Sequence, residues 1–168
     1  MKITYRDTDG NKIPIVPIRI EADTIIYHVP STLTFQKSIK EDNSTTDFYT
    51  HAGGGLLAVE RYFLELEGEE FPDGYNILAE RAKEIPACSV RPTRLPNGFS
   101  MISYEESSED GEPFVRLCCE LCSVRGKLLA AVLYSANIHL DDIGKADVIF
   151  HARIIKHMGK MTEWWEEE

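Results

Sequence analysis

Two apolar runs separated by a three-residue turn constrain this chain more than any other feature. Phe114 to Val124 (FVRLCCELCSV) reads as a strand, Arg125-Gly126-Lys127 as a tight turn, and LLAAVLYSANI from Leu128 to Ile138 as a second strand. Nearly continuous apolarity over such a length belongs to a strand covered on both faces, since a strand with one solvated face alternates instead. FSMISY, from Phe99 to Tyr104, does alternate, and the loop EESSEDGE closes it onto Phe114 through Asp110-Gly111. The three strands make an antiparallel meander whose central members are buried.

The chain has 168 residues, 43% apolar and 27% charged, which fits one globular domain over 1–168. At this length roughly 70% of the unfolded surface can be buried, so neither disulfide nor metal is needed for folding. The 28 acidic residues outnumber the 18 basic ones, a formal charge of −10 that repels nucleic acid and anionic membrane. A protein partner with a basic surface suits that field. The N-terminus MKITYRDTDG turns polar within a few residues and lacks an apolar leader segment, and no run approaches the ~20 apolar residues of a membrane span. These features predict a cytoplasmic protein.

Upstream of the meander the signals are mixed. Residues 1–23 predict an N-terminal edge hairpin or arm, because Pro14 and Pro17 are tolerated only at a sheet edge or bulge. TIIYHV (Thr24 to Val29) reads as a strand stopped by Pro30. STLTFQKSIKEDNSTTD carries a weak amphipathic signal up to Ile39, and Lys40 to Asp47 reads as a loop. Phe48 to Leu66 (FYTHAGGGLLAVERYFLEL) reads as an aromatic-glycine turn, with Gly53, Gly54 and Gly55 as its structural centre, feeding a long strand. NILAERAKEI is a helix capped by Asp73 or Asn76, with the stripe Tyr75, Leu78, Ala82, Ile85 facing a sheet. From Asp141 onward the pattern is helical again. Its stripe runs Phe150, Ile154, Met158, Met161, Trp165, and Trp164 falls to one side.

Chemistry is harder to find. His51-Ala52-Gly53-Gly54-Gly55 is similar to the glycine loop whose amides hold an oxyanion in esterases, which makes a small hydrolase the alternative function. Such an enzyme needs a nucleophile on a strand-to-helix elbow. The nearest wording, Gly98-Phe99-Ser100-Met101-Ile102, lacks the final glycine, so Ser100 and Ser135 are the serines to place. Cys119 and Cys122 have CxxC spacing, yet three residues along a strand put them on opposite faces, while Cys118 and Cys122 share a face about 13 Å apart. No metal set, no cofactor motif and no catalytic residue emerges. Binding candidates are the tryptophans Trp164 and Trp165, as aromatic anchors, and the acidic hairpin tip Glu105, Glu106, Glu109, Asp110, which would meet a basic partner.

The order of these features resembles bacterial domains of the PsbP-like fold, a fold of photosystem extrinsic subunits and a Ran-binding nuclear import factor. The resemblance is carried by the Phe48 to Leu66 stretch, the helix at Asn76 to Ile85, the Leu95-Pro96-Asn97-Gly98 turn, the meander and a terminal helix, and it spans Thr24 to Trp165. It implies an α+β fold, a central antiparallel sheet flanked by helices in an α/β/α sandwich, with a PsbP-like core over 24–165. It also implies a non-catalytic protein-binding module, an adaptor or immunity protein for a secreted toxin among bacterial relatives. No functional residue transfers with it. A third possibility is a carrier holding a small apolar ligand between sheet and helix.

Overall fold

Period-2 alternation governs most of the molecule. The computed structural model describes residues 3–6, 12–15, 17–22, 24–51, 56–68, 70–85, 91–107, 114–139 and 145–165, and these form twelve strands and two helices. Strands β1 (Ile3–Arg6) and β2 (Lys12–Ile15) pair antiparallel as a separate two-stranded sheet. Strands β3 (Pro17–Ala22) and β4 (Ile25–Pro30) join the late strand β12 (Glu163–Trp164) in a three-stranded sheet of order β12-β4-β3. Pro17 therefore sits on an edge strand, where its missing N–H leaves no gap in the ladder.

The large sheet holds seven antiparallel strands: β5 (Leu33–Lys40), β6 (Ser44–His51), β7 (Leu56–Glu65), β8 (Thr93–Arg94), β9 (Ser100–Ser107), β10 (Phe114–Arg125) and β11 (Leu128–His139). Their order is β5-β6-β7-β11-β10-β9-β8. The predicted meander is its β9-β10-β11 part, and Gly126 takes the positive φ (61°) that its turn requires. Helix α1 (Gly74–Lys83) starts at Asp73, whose carboxylate accepts from the Tyr75 amide at 3.0 Å, and α2 is Lys145–Lys160.

Because β10 and β11 lie inside the sheet, their side chains feed two cores. Leu117, Cys119 and Leu121 join Ala130, Val132, Tyr134, Ala136 and Ile138 on one face, packed under Ile25, Tyr27 and Val29 of β4 and Ile154, Ile155 and Met158 of α2. Cys118 and Cys122 point the other way, with Ile102, Tyr104 and Leu129, toward Leu78 of α1 and Ile85 just beyond it. The CxxC pair is thus split between opposite faces, as alternation required. Helix α1 meets the sheet closely at its first turn: a Cβ on Gly74 would stand 2.6 Å from the Cys122 carbonyl oxygen, so only glycine fits.

The predicted α/β/α sandwich does not form. The chain is predominantly strand, and one face of the large sheet is covered by a second sheet together with α2 rather than by helices alone. Two segments account for the difference. Residues 33–51, read as a weak amphipathic stretch and a loop, form the hairpin β5-β6. Every residue of β5 after Leu33 is exposed, and Lys37 interrupts the alternation of Leu33, Phe35 and Ile39 with polar neighbours, so the period-2 signal of this edge strand is incomplete. Phe48 and Tyr49 likewise belong to β6, not to a turn, while Gly53, Gly54 and Gly55 lie outside the described residues. The second segment is Pro17–Ala22, which pairs along β4 and turns a lone strand into a sheet. No helix among the described residues is long and apolar enough to cross a membrane.

A buried carboxylate locks the two sheets together. Asp47 on β6 is 6% exposed and accepts hydrogen bonds from Tyr27 on β4 (2.5 Å), Arg61 on β7 (3.1 Å) and Ser38 on β5. Tyr49 completes the cluster, its hydroxyl 2.8 Å from that of Tyr27. Burial, followed by the Asp47 carboxylate, drives the Tyr27 phenol far above its ordinary pKa, so it stays a donor. Replacing Arg61 with Met leaves a buried charge without its counter-ion. The loss should be roughly 3 kcal/mol of stability, read from urea denaturation.

A second polar group sets a pH dependence. On α2, Nε2 of His157 has no hydrogen-bond partner, and burial, with Lys160 and His28 adding to it, holds its pKa below the ordinary value. The unfolded chain then binds the proton first as pH falls, so this stability is complete above the ordinary histidine pKa and shrinks below it. Acidifying from about pH 7.5 to about 5.5 should lower the urea midpoint, and His157→Gln should flatten that slope.

Candidate binding cleft

The two tryptophans converge in a cleft, but their roles are exchanged relative to the sequence reading. Helix α2 stops at Lys160, so Trp165 never joins its apolar stripe. The stop has a clear cause. The Asn97 side chain, from the turn between β8 and β9, donates to the carbonyls of Gly159 (3.2 Å) and Lys160 (3.4 Å), which the helix C-terminus leaves open, and to that of Thr162 just beyond it (2.7 Å). Thr162 is anchored in turn, its hydroxyl donating to the Met158 carbonyl (2.9 Å) and meeting the Tyr134 hydroxyl at 2.7 Å. The chain then extends, and Glu163 and Trp164 pair with Ile26 and Ile25 of β4.

Strand pairing fixes the indoles. Trp164 is half-buried and stacks on Phe99 with ring centroids 5.7 Å apart, while its Nε1 donates to the Ser123 hydroxyl at 2.9 Å. Ser123 passes the bond on to the Gly98 carbonyl at 3.0 Å. Trp165, held by its amide to the Thr24 carbonyl (2.8 Å), leaves 45% of its surface in solvent. Together they line a cavity of about 610 Å³ with Arg19, Asn97, Arg125 and Glu163 on its walls. The lining combines one anchored aromatic, one open aromatic and two guanidinium-bearing side chains.

The acidic candidates lie elsewhere. Glu105 and Glu106 are exposed on β9, five residues beyond the Ser100 end that borders the tryptophans, or about 17 Å by strand rise. Glu106 pairs with Arg116 at 3.3 Å, and Glu109 and Asp110 lie outside the described residues.

The residues proposed for hydrolysis are not gathered. His51 ends β6, whereas Ser100 opens β9 four strands away across the sheet, about 19 Å at the usual spacing. Ser135 sits on β11, two strands from β6, and both serines are buried. The rest of the glycine loop lies outside the described residues. Burial pushes the Cys119 thiol up to about 12 and those of Cys118 and Cys122 to about 11, so all three stay protonated and unreactive near neutral pH. Among the described residues, no group of three or more His, Cys, Asp or Glu could hold a metal ion.

Sequence reasoning missed the polar parts of this site. Asn97 read only as a turn residue, yet it caps a helix more than sixty positions away in sequence. Arg19 belonged to the N-terminal arm and carried no signal linking it to the C-terminus.

The two indoles separate structure from surface. Trp164→Ala should cost about 3 kcal/mol by loss of packing against Phe99, and Trp165→Ala no more than about 0.5 kcal/mol. Urea denaturation followed by far-UV circular dichroism distinguishes the two. No family model matches the chain, and no curated protein matches it.

Proposed function

We propose that this chain is a non-catalytic binding module that engages another protein through the Trp164–Trp165 cleft. The observation that carries the reading is Trp165, a large aromatic left 45% exposed beside an indole that is locked in place. Such a pair suits an interface hot spot: the rigid partner shapes the pocket, and the open ring gains burial on contact. Arg19, loosely paired with Glu21 at 3.7 Å and largely exposed, adds a donor suited to a partner's carboxylate at the same place. The net charge of −10 acts at longer range and favours a partner that is basic overall.

Both tryptophans of the chain line the cleft, so intrinsic fluorescence reports its occupancy directly. Wild-type chain immobilised in native lysate should retain a stoichiometric protein that also quenches tryptophan emission when purified and titrated. Trp165→Ala should weaken that complex at least about tenfold while the fold persists. An unchanged affinity, or turnover of a substrate abolished by one substitution with no protein retained, would overturn the reading.

A further inference from the structure

The two faces of the large sheet are covered unequally. Opposite α2 and the small sheet, α1 packs over β9 and β10, while β11 and β7 continue beyond it. The register shows what lies there. One row across that face runs Glu120, Leu133, Glu60, and the next runs Cys122, Ala131, Tyr62. Under the flank of α1, Leu133, Ala131 and Tyr62 form the floor of a cavity of about 360 Å³ roofed by Ile77 and Leu78. That volume is at the small end of the range for small-molecule sites, and its walls are mainly apolar.

The charged groups at the mouth are not balanced. Arg81 of α1 is held between Glu84 (3.3 Å) and Glu120 (3.3 Å). The carboxylate of Glu60, on the other side of Leu133, has no ion-pair or hydrogen-bond partner among the described residues. An occupant that fills the floor therefore meets an apolar surface along its length and an uncompensated negative charge at its end. Burying an anion's face without a cation is costly, whereas an ammonium group there gains a charge-assisted hydrogen bond.

We infer that this cavity is a binding site for a small amphipathic amine, its hydrocarbon body over Leu133 and Ala131 and its ammonium group at Glu60. The site is separate from the tryptophan cleft and stands or falls independently of it.

The test uses the full chain and the neutral dye N-phenyl-1-naphthylamine, which brightens in apolar surroundings. Wild type should brighten the dye, and Ala131→Phe, which fills the floor, should abolish this while Trp165→Ala does not. Octylamine should displace the dye at concentrations about tenfold below those of octanol or octanoate, as a charge-assisted hydrogen bond would give. Glu60→Gln, at an exposed position without a partner among the described residues, should cut that advantage about fivefold. Absence of brightening by the folded wild-type chain overturns the proposal, as does octanoate competing as well as octylamine. Should Ala131→Phe fail to fold, an amine preference unchanged in Glu60→Gln overturns it equally.

Discussion

A carboxylate taken out of water must be given donors, and Asp47 receives them from three other strands. Tyr27 comes from the small sheet, while Arg61 and Ser38 come from the neighbours of β6 in the large one. Apolar contact alone would let two twisted sheets slide over one another, because the hydrophobic effect is non-directional. The cluster does not permit that: moving β4 by one residue would replace Tyr27 by a neighbour pointing to the opposite face. Everything attached to β4 inherits this position. Strand β12 pairs with it, so the placement of Trp164 and Trp165 depends on a hydrogen bond made by Tyr27 to Asp47.

How much of this could be read in the sequence depends on how each element is solvated. The strands β10 and β11 were legible because burial on two faces forces continuous apolarity, β9 because it alternates, and α1 because its single buried stripe recurs at helical spacing. Strand β5 was not, since Lys37 breaks the alternation of Leu33, Phe35 and Ile39 on an edge that is exposed from Thr34 onward. Polar residues at such an edge are also what keeps it from pairing with another chain. The Asp47 cluster is invisible for a different reason. Its members come from positions 27, 38, 47, 49 and 61, and nothing in local pattern says that Asp47, Tyr49 or Arg61 faces inward.

The C-terminal tail shows a contest that propensity could not decide. Continuing α2 through Met161 to Trp165 would keep the apolar stripe intact and bury the second indole. Ending it at Lys160 lets Asn97 satisfy two carbonyls, lets Thr162 bond Tyr134 inside the core, and adds a strand to β4. Several hydrogen bonds worth ~1 kcal/mol each then stand against a stripe position whose burial is worth ~2 kcal/mol. Fully buried groups weigh most in that balance, and Thr162 and Tyr134 are both inaccessible to solvent. The cost of the outcome is an indole left in water, and that residual exposure is what gives the cleft something to offer a partner. A single position, Asn97, thus links helix termination to the chemistry of the cleft whose wall it also forms.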